Sequence, residues 1–196
     1  LIDDKNTLGG TTLFQQNECF KINNSYSNDW LKKEIETLNS FKNLTIKTRT
    51  SLAAYHSYNY LLARENLTDH LDLKERKDKI RQRLWKIRAK KVIIATGAME
   101  RPLIFDNNDR PGIFLSTSIK KYIDYYGVKC GQKVSLFTNN DSAYETAISL
   151  SNSGVIVNSI IDIRNKTNSL IVKQAEKLGI KIHWKSSVVN TSGYKR

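Results

Sequence analysis

Hydrophobic positions along the chain follow two rhythms, and the switches between them mark the elements. Leu31, Ile35 and Leu38 fall at i, i+4 and i+7, which predicts a helix over 28–38. Leu44 to Arg49 predicts a strand, and Ala53 to Tyr58 and Tyr60 to Arg64 predict two more. Residues 65–82 are mostly charged and predict an exposed loop. Beyond them Arg83 to Arg88 alternates charge with Trp85 and Ile87, as a half-exposed strand does. Lys91 to Ala95 breaks that alternation. Val92, Ile93 and Ile94 are consecutive, which predicts a strand buried on both faces. Ile119, Tyr122, Ile123 and Tyr126 then form a stripe that predicts a helix over 116–126, closed by Gly127.

From Gly131 onward the two rhythms alternate. A strand is predicted at 133–137, a helix at 142–150 and a strand at 155–161. A helix at 169–178, closed by Gly179, and a strand at 180–184 follow. Strand-helix-strand-helix-strand at this spacing predicts a parallel sheet with crossover helices, so the fold class is α/β.

Composition changes this picture little. At 39% hydrophobic and 26% charged residues the chain reads as globular, and no apolar run reaches the length of a membrane span. No basic-then-apolar leader opens it, so no membrane is expected and the cytoplasm is the expected location. The net charge of +13 is spread over Lys32-Lys33, Lys74 to Arg83, Lys90-Lys91, Lys120-Lys121 and Lys173 to Lys185. Cations scattered in this way predict a solvated basic surface and no nucleic-acid partner. Cys19 and Cys130 are far apart and neither belongs to a CxxC, so no disulfide framework, zinc site or dithiol motif is expected. His56, His70 and His183 lack metal-ligand spacing. With no GxSxG, HExxH or paired carboxylates either, no catalytic or metal-binding residue is assigned.

The candidate chemistry is that of a dinucleotide site. In such a fold the second strand ends in an acidic residue that hydrogen-bonds the adenosine ribose. Asp3, after Leu1-Ile2 and before Gly9-Gly10, stands where that residue is needed. The first strand and its glycine loop are expected upstream of Leu1, which makes the first unit incomplete at its N-terminus. A later strand ends on Ala95-Thr96-Gly97, small residues that let backbone and ligand approach closely, although a tight turn also explains the glycine. The second strand-helix-strand unit carries Thr138-Asn139-Asn140-Asp141-Ser142-Ala143 where a phosphate loop belongs. It lacks the first two glycines, and Asp141 puts negative charge where a pyrophosphate needs the helix N-terminus. Ser142 with Glu145 predicts a capping box there, and Asp162 is left without a phosphate loop to act with. Two dinucleotide-binding-like, Rossmann-type units follow: 1–130, and a degenerate one at 131–196.

Several long motifs occur in order: Leu1-Ile2-Asp3-Asp4 to Gly9-Gly10, Arg49-Thr50, "NYLLARENLTDHL" (59–71), "RQRLWKIRAKKVIIATGAMERPLIF" (81–105), "NDRPGI" (108–113) and "FTNNDSAYETA" (137–147). Through them the whole chain resembles the dinucleotide-binding region of the α subunits of heterotetrameric sarcosine oxidases. The resemblance implies NAD in the first unit, with FAD in the same place as the alternative. It implies that Asp3 holds the adenosine ribose, that Leu52 meets adenine through its backbone and that Gly97 abuts the dinucleotide. It further implies an oxidative demethylation of sarcosine to glycine with peroxide formation. FAD, FMN and tetrahydrofolate then act elsewhere in a complex with β, γ and δ subunits. No catalytic residue is carried over. Related amine or proline dehydrogenase α subunits, or a non-catalytic dinucleotide-binding scaffold, are the alternative readings.

Overall fold

The computed structural model describes residues 1–14 and 21–193. They form two compact units, one made of Leu1–Thr12 and Lys21–Gly97 and the other of residues 98–193 together with Leu13 and Phe14. The division lies between Gly97 and Ala98, and position 130 falls inside the second unit.

The first unit is organised around an antiparallel sheet. A hairpin of β1 (Lys21–Ile22) and β2 (Ser25–Tyr26) leads into α1 (Ser27–Ser40), with Asp29 in its first turn. There the carboxylate suits the positive end of the helix dipole. β3 (Thr50–His56), β4 (Tyr60–Asn66) and β5 (Gln82–Arg88) form a three-stranded meander in that order. The β3–β4 turn runs through Tyr58 and Asn59, with φ of 59° and 53°, the handedness that a twisted hairpin needs. Leu61 and Ala63 of β4 are buried on one face of this sheet. On the same face Trp85 Nε1 donates to Glu65 Oε2 at 2.7 Å, and Lys47 Nζ stands 4.1 Å from the Trp85 ring centroid. The Trp85 bond, working against burial and helped by Lys47 and Arg83, holds the Glu65 carboxyl below the usual carboxylate range. Between β4 and β5 the charged stretch is not all loop, since Leu73–Arg76 forms the short helix α2.

Two strand expectations fail in this unit. Leu44 to Arg49 forms no strand ladder: it makes a single parallel bridge, Ile2 to Lys47, while Arg49 N donates to Lys5 O at 2.7 Å and Arg49 O accepts from Asn66 N at 2.9 Å. The run Lys91 to Ala95 is not a strand: Ile93 is 91% and Ile94 60% exposed. Its apolar character is that of a buried strand, but no ladder partner lies beside it among the described residues. A strand without backbone partners is not stable on its own side chains.

The second unit is an α/β layer. α3 (Ser116–Asp124) is followed by β6 (Lys133–Thr138), α4 (Ser142–Asn152), β7 (Ile156–Asp162), α5 (Leu170–Lys177) and β8 (Lys181–Trp184). The strands pair in parallel in the order β6-β7-β8, as the alternating rhythm predicts. Leu136, Ile160 and Ile180 pack with Tyr144, Ala147, Leu150, Val172 and Ala175 in one core. The stripe expected on α3 is rotated. Tyr122 and Tyr126 are exposed, while Lys120 and Asp124 turn inward with Ile123. The inward charges are satisfied: Lys120 Nζ donates to Phe14 O at 2.9 Å and to Asp124 Oδ2 at 2.8 Å, and the Ser149 hydroxyl donates to Asp124 Oδ1. An i,i+4 ion pair with both carboxylate oxygens hydrogen-bonded can take a core-facing stripe that periodicity alone gives to tyrosines.

Among the described residues no helix is long and apolar enough to cross a membrane, and no group of three or more His, Cys, Asp or Glu could hold a metal ion. Cys130 is an exposed free thiol, and Cys19 lies outside the described residues.

Candidate functional site

Asp3 is fixed by backbone. Its amide donates to Lys47 O at 2.9 Å, and its carbonyl accepts from Thr50 N at 2.8 Å. One carboxylate oxygen, Oδ1, accepts the Lys5 amide at 2.8 Å and so shapes the turn that follows. Among the described residues no hydrogen bond uses Oδ2. Past the turn, Gly9 and Gly10 have φ of 130° and 53°, and the Gly9 carbonyl accepts from Thr12 N at 3.0 Å at the start of the 3₁₀ turn Gly10–Phe14.

Leu52 lies on β3 and is 42% exposed. It is two residues beyond Thr50, whose amide bonds Asp3, and it pairs with Ala63 of β4. The register slips between Leu52 and Ala54, so Ala53 is the extra residue of a bulge. A bulge leaves backbone groups outside the ladder, which is where a planar ring could find donors and acceptors. Asp3 is thus bonded to Thr50, two residues before Leu52 on the same strand, and the glycine turn follows Asp3 in the chain.

Ala95, Thr96 and Gly97 are exposed, and among the described residues none is hydrogen-bonded to Asp3 or to the glycine turn. Gly97 has φ of 73°, and a Cβ built on it meets nothing within 4 Å. The backbone conformation therefore demands glycine, and open space adjoins it. Just beyond, Glu100 carries a role that the sequence reading passed over. Its Oε2 accepts from Thr117 N at 2.8 Å and Thr117 Oγ1 at 2.6 Å, and its Oε1 from Ser116 N at 3.3 Å. A remote carboxylate thus caps the head of α3. Glu100→Ala should cost about 0.5–2 kcal/mol, the usual worth of a cap. In the full-length parent, exchange of the Ser116 and Thr117 amides should quicken. Unchanged protection would show that solvent caps α3 equally well.

The second unit presents a different constellation at the carboxyl end of its parallel sheet. Asp162, the last residue of β7, is fully buried. Tyr144 of α4 donates its hydroxyl to Asp162 Oδ2 at 2.8 Å. The Arg164 amide and Nε donate to Oδ1 at 2.9 and 3.1 Å, and Arg164 Nη2 donates to Oδ2 at 2.8 Å. Nη2 also stands 2.8 Å from Oδ1 of Asp141, the residue that precedes α4. Burial alone would raise the Asp162 carboxyl, but the Arg164 side-chain and amide bonds, followed by Tyr144, hold it below the usual carboxylate range. Burial and then Asp162 push the Tyr144 phenol far above its ordinary value. Asp162 therefore has partners, and they are side chains of its own unit.

The capping box expected at the head of α4 is absent. Instead Asn140 Oδ1 accepts from Ser142 N at 3.0 Å and from Ser142 Oγ at 2.6 Å, while Thr138 Oγ1 accepts from Asn140 N at 3.1 Å. An Asx turn forms before the helix and takes the hydroxyl that the box would have used.

With this geometry in hand, the chain belongs in class among mixed α/β proteins with a parallel β-α-β-α-β layer, and one of the solved structures it resembles is a dehydrogenase. A crystal structure of L-proline dehydrogenase from P.horikoshii superposes with a TM-score of 0.58 at 25% identity, over 86% of this chain and 31% of that one. In sequence the particular likeness is to sarcosine oxidase subunit alpha. The chain is 37% identical over 191 residues, 97% of its length, to that subunit from Corynebacterium sp. (strain U-96). It is 33% identical over 164 residues to the one from Rhizobium meliloti (strain 1021). It spans 19% of the length of the Corynebacterium relative and 16% of that from Rhizobium. No family model matches the chain.

Proposed function

We propose that this chain is the dinucleotide-binding stretch of an amine-oxidising oxidoreductase, acting within a larger α subunit of the sarcosine oxidase kind. The observation that carries this reading is the alignment of 97% of the chain with sarcosine oxidase subunit alpha at 37% identity. In this reading both units derive from dinucleotide-binding folds, and only the first holds a ligand. The parent converts sarcosine to glycine with peroxide formation and passes the one-carbon unit to tetrahydrofolate. FAD, FMN and the folate site lie outside this stretch, and the assembly includes β, γ and δ subunits in the cytoplasm.

The residues of the first unit suit NAD. Asp3 Oδ2 is open to the adenosine ribose, the bulged backbone at Leu52 to adenine, and the Gly9-Gly10 turn to the chain's closest approach. The space beside Gly97, with Ala95 and Thr96 before it, leaves room for the dinucleotide. A bound nicotinamide dinucleotide supplies a two-electron hydride acceptor. The residues named here bind and orient it; none carries out chemistry on the amine. A second reading places FAD in the same position and is favoured by the structural likeness to L-proline dehydrogenase.

Nucleotide released from the denatured, purified parent complex decides between these. The expected result is one NAD per chain from the first unit and none from the second. A chain that releases FAD from the first unit supports the second reading. Two dinucleotides from this region, one per unit, would overturn both.

A further inference from the structure

Left-handed backbone is costly for most L residues, and asparagine and aspartate carry it most easily. Among the described non-glycine residues with positive φ, Asn23, Asn24, Asn59, Asp78 and Asn107 are of those two kinds. Arg49, with φ of 51°, is not. Two others depart from the rule, but Tyr58 sits in the β3–β4 hairpin turn and Lys185 in the turn after β8. Arg49 directly precedes β3, with no hairpin to impose its φ. Its backbone is fixed from both sides, since Arg49 N donates to Lys5 O at 2.7 Å and Arg49 O accepts from Asn66 N at 2.9 Å. Neither bond uses the side chain, so glycine or asparagine would make both with less strain.

The guanidinium is what arginine adds at this position, and within the chain it is unused. Arg49 is half-buried, yet among the described residues its side chain makes no hydrogen bond, ion pair or ring contact. The acidic neighbours are taken: Glu65 by Trp85, Lys47 and Arg83, and Asp4 by Lys5. Asp3 forms no ion pair with it either, although the next amide, Thr50 N, donates to Asp3 O at 2.8 Å. A partly shielded guanidinium with its N–H donors idle is poorly placed unless a ligand brings the acceptor.

The place of Arg49 in the fold says which ligand. Its amide bonds Lys5 and the following amide bonds Asp3, so the arginine is stitched to both ends of the turn whose carboxylate is assigned above to the ribose. That sugar carries a phosphate ester in any adenine dinucleotide, and a planar fork of N–H donors matches phosphate oxygens. We propose that Arg49 binds a phosphate of the dinucleotide held by the first unit. This rests on the reading of that unit as a dinucleotide site. It holds for FAD as for NAD, since both join adenosine to a pyrophosphate.

The test uses the full-length parent complex, freed of nucleotide and titrated with NAD (or FAD, where that is what it releases), AMP and adenosine. Arg49→Asn keeps a residue suited to the φ and removes the guanidinium. It is expected to weaken the dinucleotide and AMP about tenfold, the worth of one charge-assisted hydrogen bond, and to leave adenosine unchanged. Amide exchange at Thr50 and Asn66 should stay as slow as in wild type, a combination that a merely structural arginine does not give. Arg49→Gly, which also accepts this φ, takes its place if asparagine disturbs those amides. Arg49→Lys keeps the charge without the fork and should recover only part of the affinity. Wild-type affinity for dinucleotide and AMP in the asparagine and glycine variants overturns the proposal and leaves the ribose assignment intact. An equal loss for adenosine gives the guanidinium to the base and overturns it too. A wild-type parent that binds neither NAD nor FAD overturns the dinucleotide reading and this proposal together.

Discussion

Replacing Asp162 with alanine is expected to destabilise the second unit by about 3–5 kcal/mol, the usual result of breaking a buried ion pair. The carboxylate is fully buried and accepts from Tyr144 and from three nitrogens of Arg164. Its removal leaves the guanidinium with Asp141 as its remaining carboxylate partner and the Tyr144 hydroxyl in the core without its acceptor. Tyr144→Phe removes only the one bond and should cost about 0.5–1.5 kcal/mol. The same network sets a pH dependence. The folded-state pKa of Asp162 is depressed, so its contribution is fully present above the unfolded carboxylate value of about 3.9 and is lost as pH falls through the folded value. Acid melts of the full-length parent, followed by amide exchange within β7 and α4, should show wild type losing stability below about pH 4. Asp162→Ala should be weak already at neutral pH and flatter in acid. Equal stability of the two at pH 7 would mean that Arg164 is served by solvent and Asp141, and that the buried carboxylate is incidental.

Gly97→Val should strip dinucleotide from the parent while leaving most of its helix and strand content in place. Two effects combine. At φ of 73° a β-branched residue carries backbone strain of roughly 1–3 kcal/mol. The new side chain also enters a space in which a Cβ meets nothing of this chain within 4 Å, so within this chain it creates no clash of its own. Gly97→Ala shares the backbone strain with a smaller side chain. A graded loss of NAD from Ala to Val, titrated on the purified complex, would assign the space to the dinucleotide. Full occupancy in both variants would make Gly97 a turn residue and nothing more.

What the sequence revealed depended on whether an element's partners were local. α4, α5 and the strands between them were legible because each apolar run finds its neighbour within one crossover. Val92 to Ile94 misled for the opposite reason. Three consecutive β-branched residues report only that both faces are apolar, and burial needs a neighbour that the described residues do not supply. The inward turn of Lys120 and Asp124 was hidden because hydropathy counts charges as solvent-facing and cannot see that they face each other. Arg164 left a faint signal. An arginine two residues past a strand-terminal aspartate can fold back onto that carboxylate, and the spacing Asp162-x-Arg164 was there to be read. Of the candidate site, Asp3 is held by Lys47 and Thr50, partners too far along the chain for any local pattern to show.

The β3-β4-β5 meander has a consequence in time. Its strands pair with their sequence neighbours, and β3 and β4 are separated by a turn of three residues, Ser57 to Asn59. Such hairpins close in about 1–10 μs, before pairings that must first shut a long loop. The segment bearing Asp3 joins by bonding Lys47 and Thr50, on the far side of α1. The meander is thus the template on which Asp3 is placed, and substitutions in the Tyr58-Asn59 turn should slow the folding of the first unit, followed by stopped-flow refolding, more than they lower its final stability.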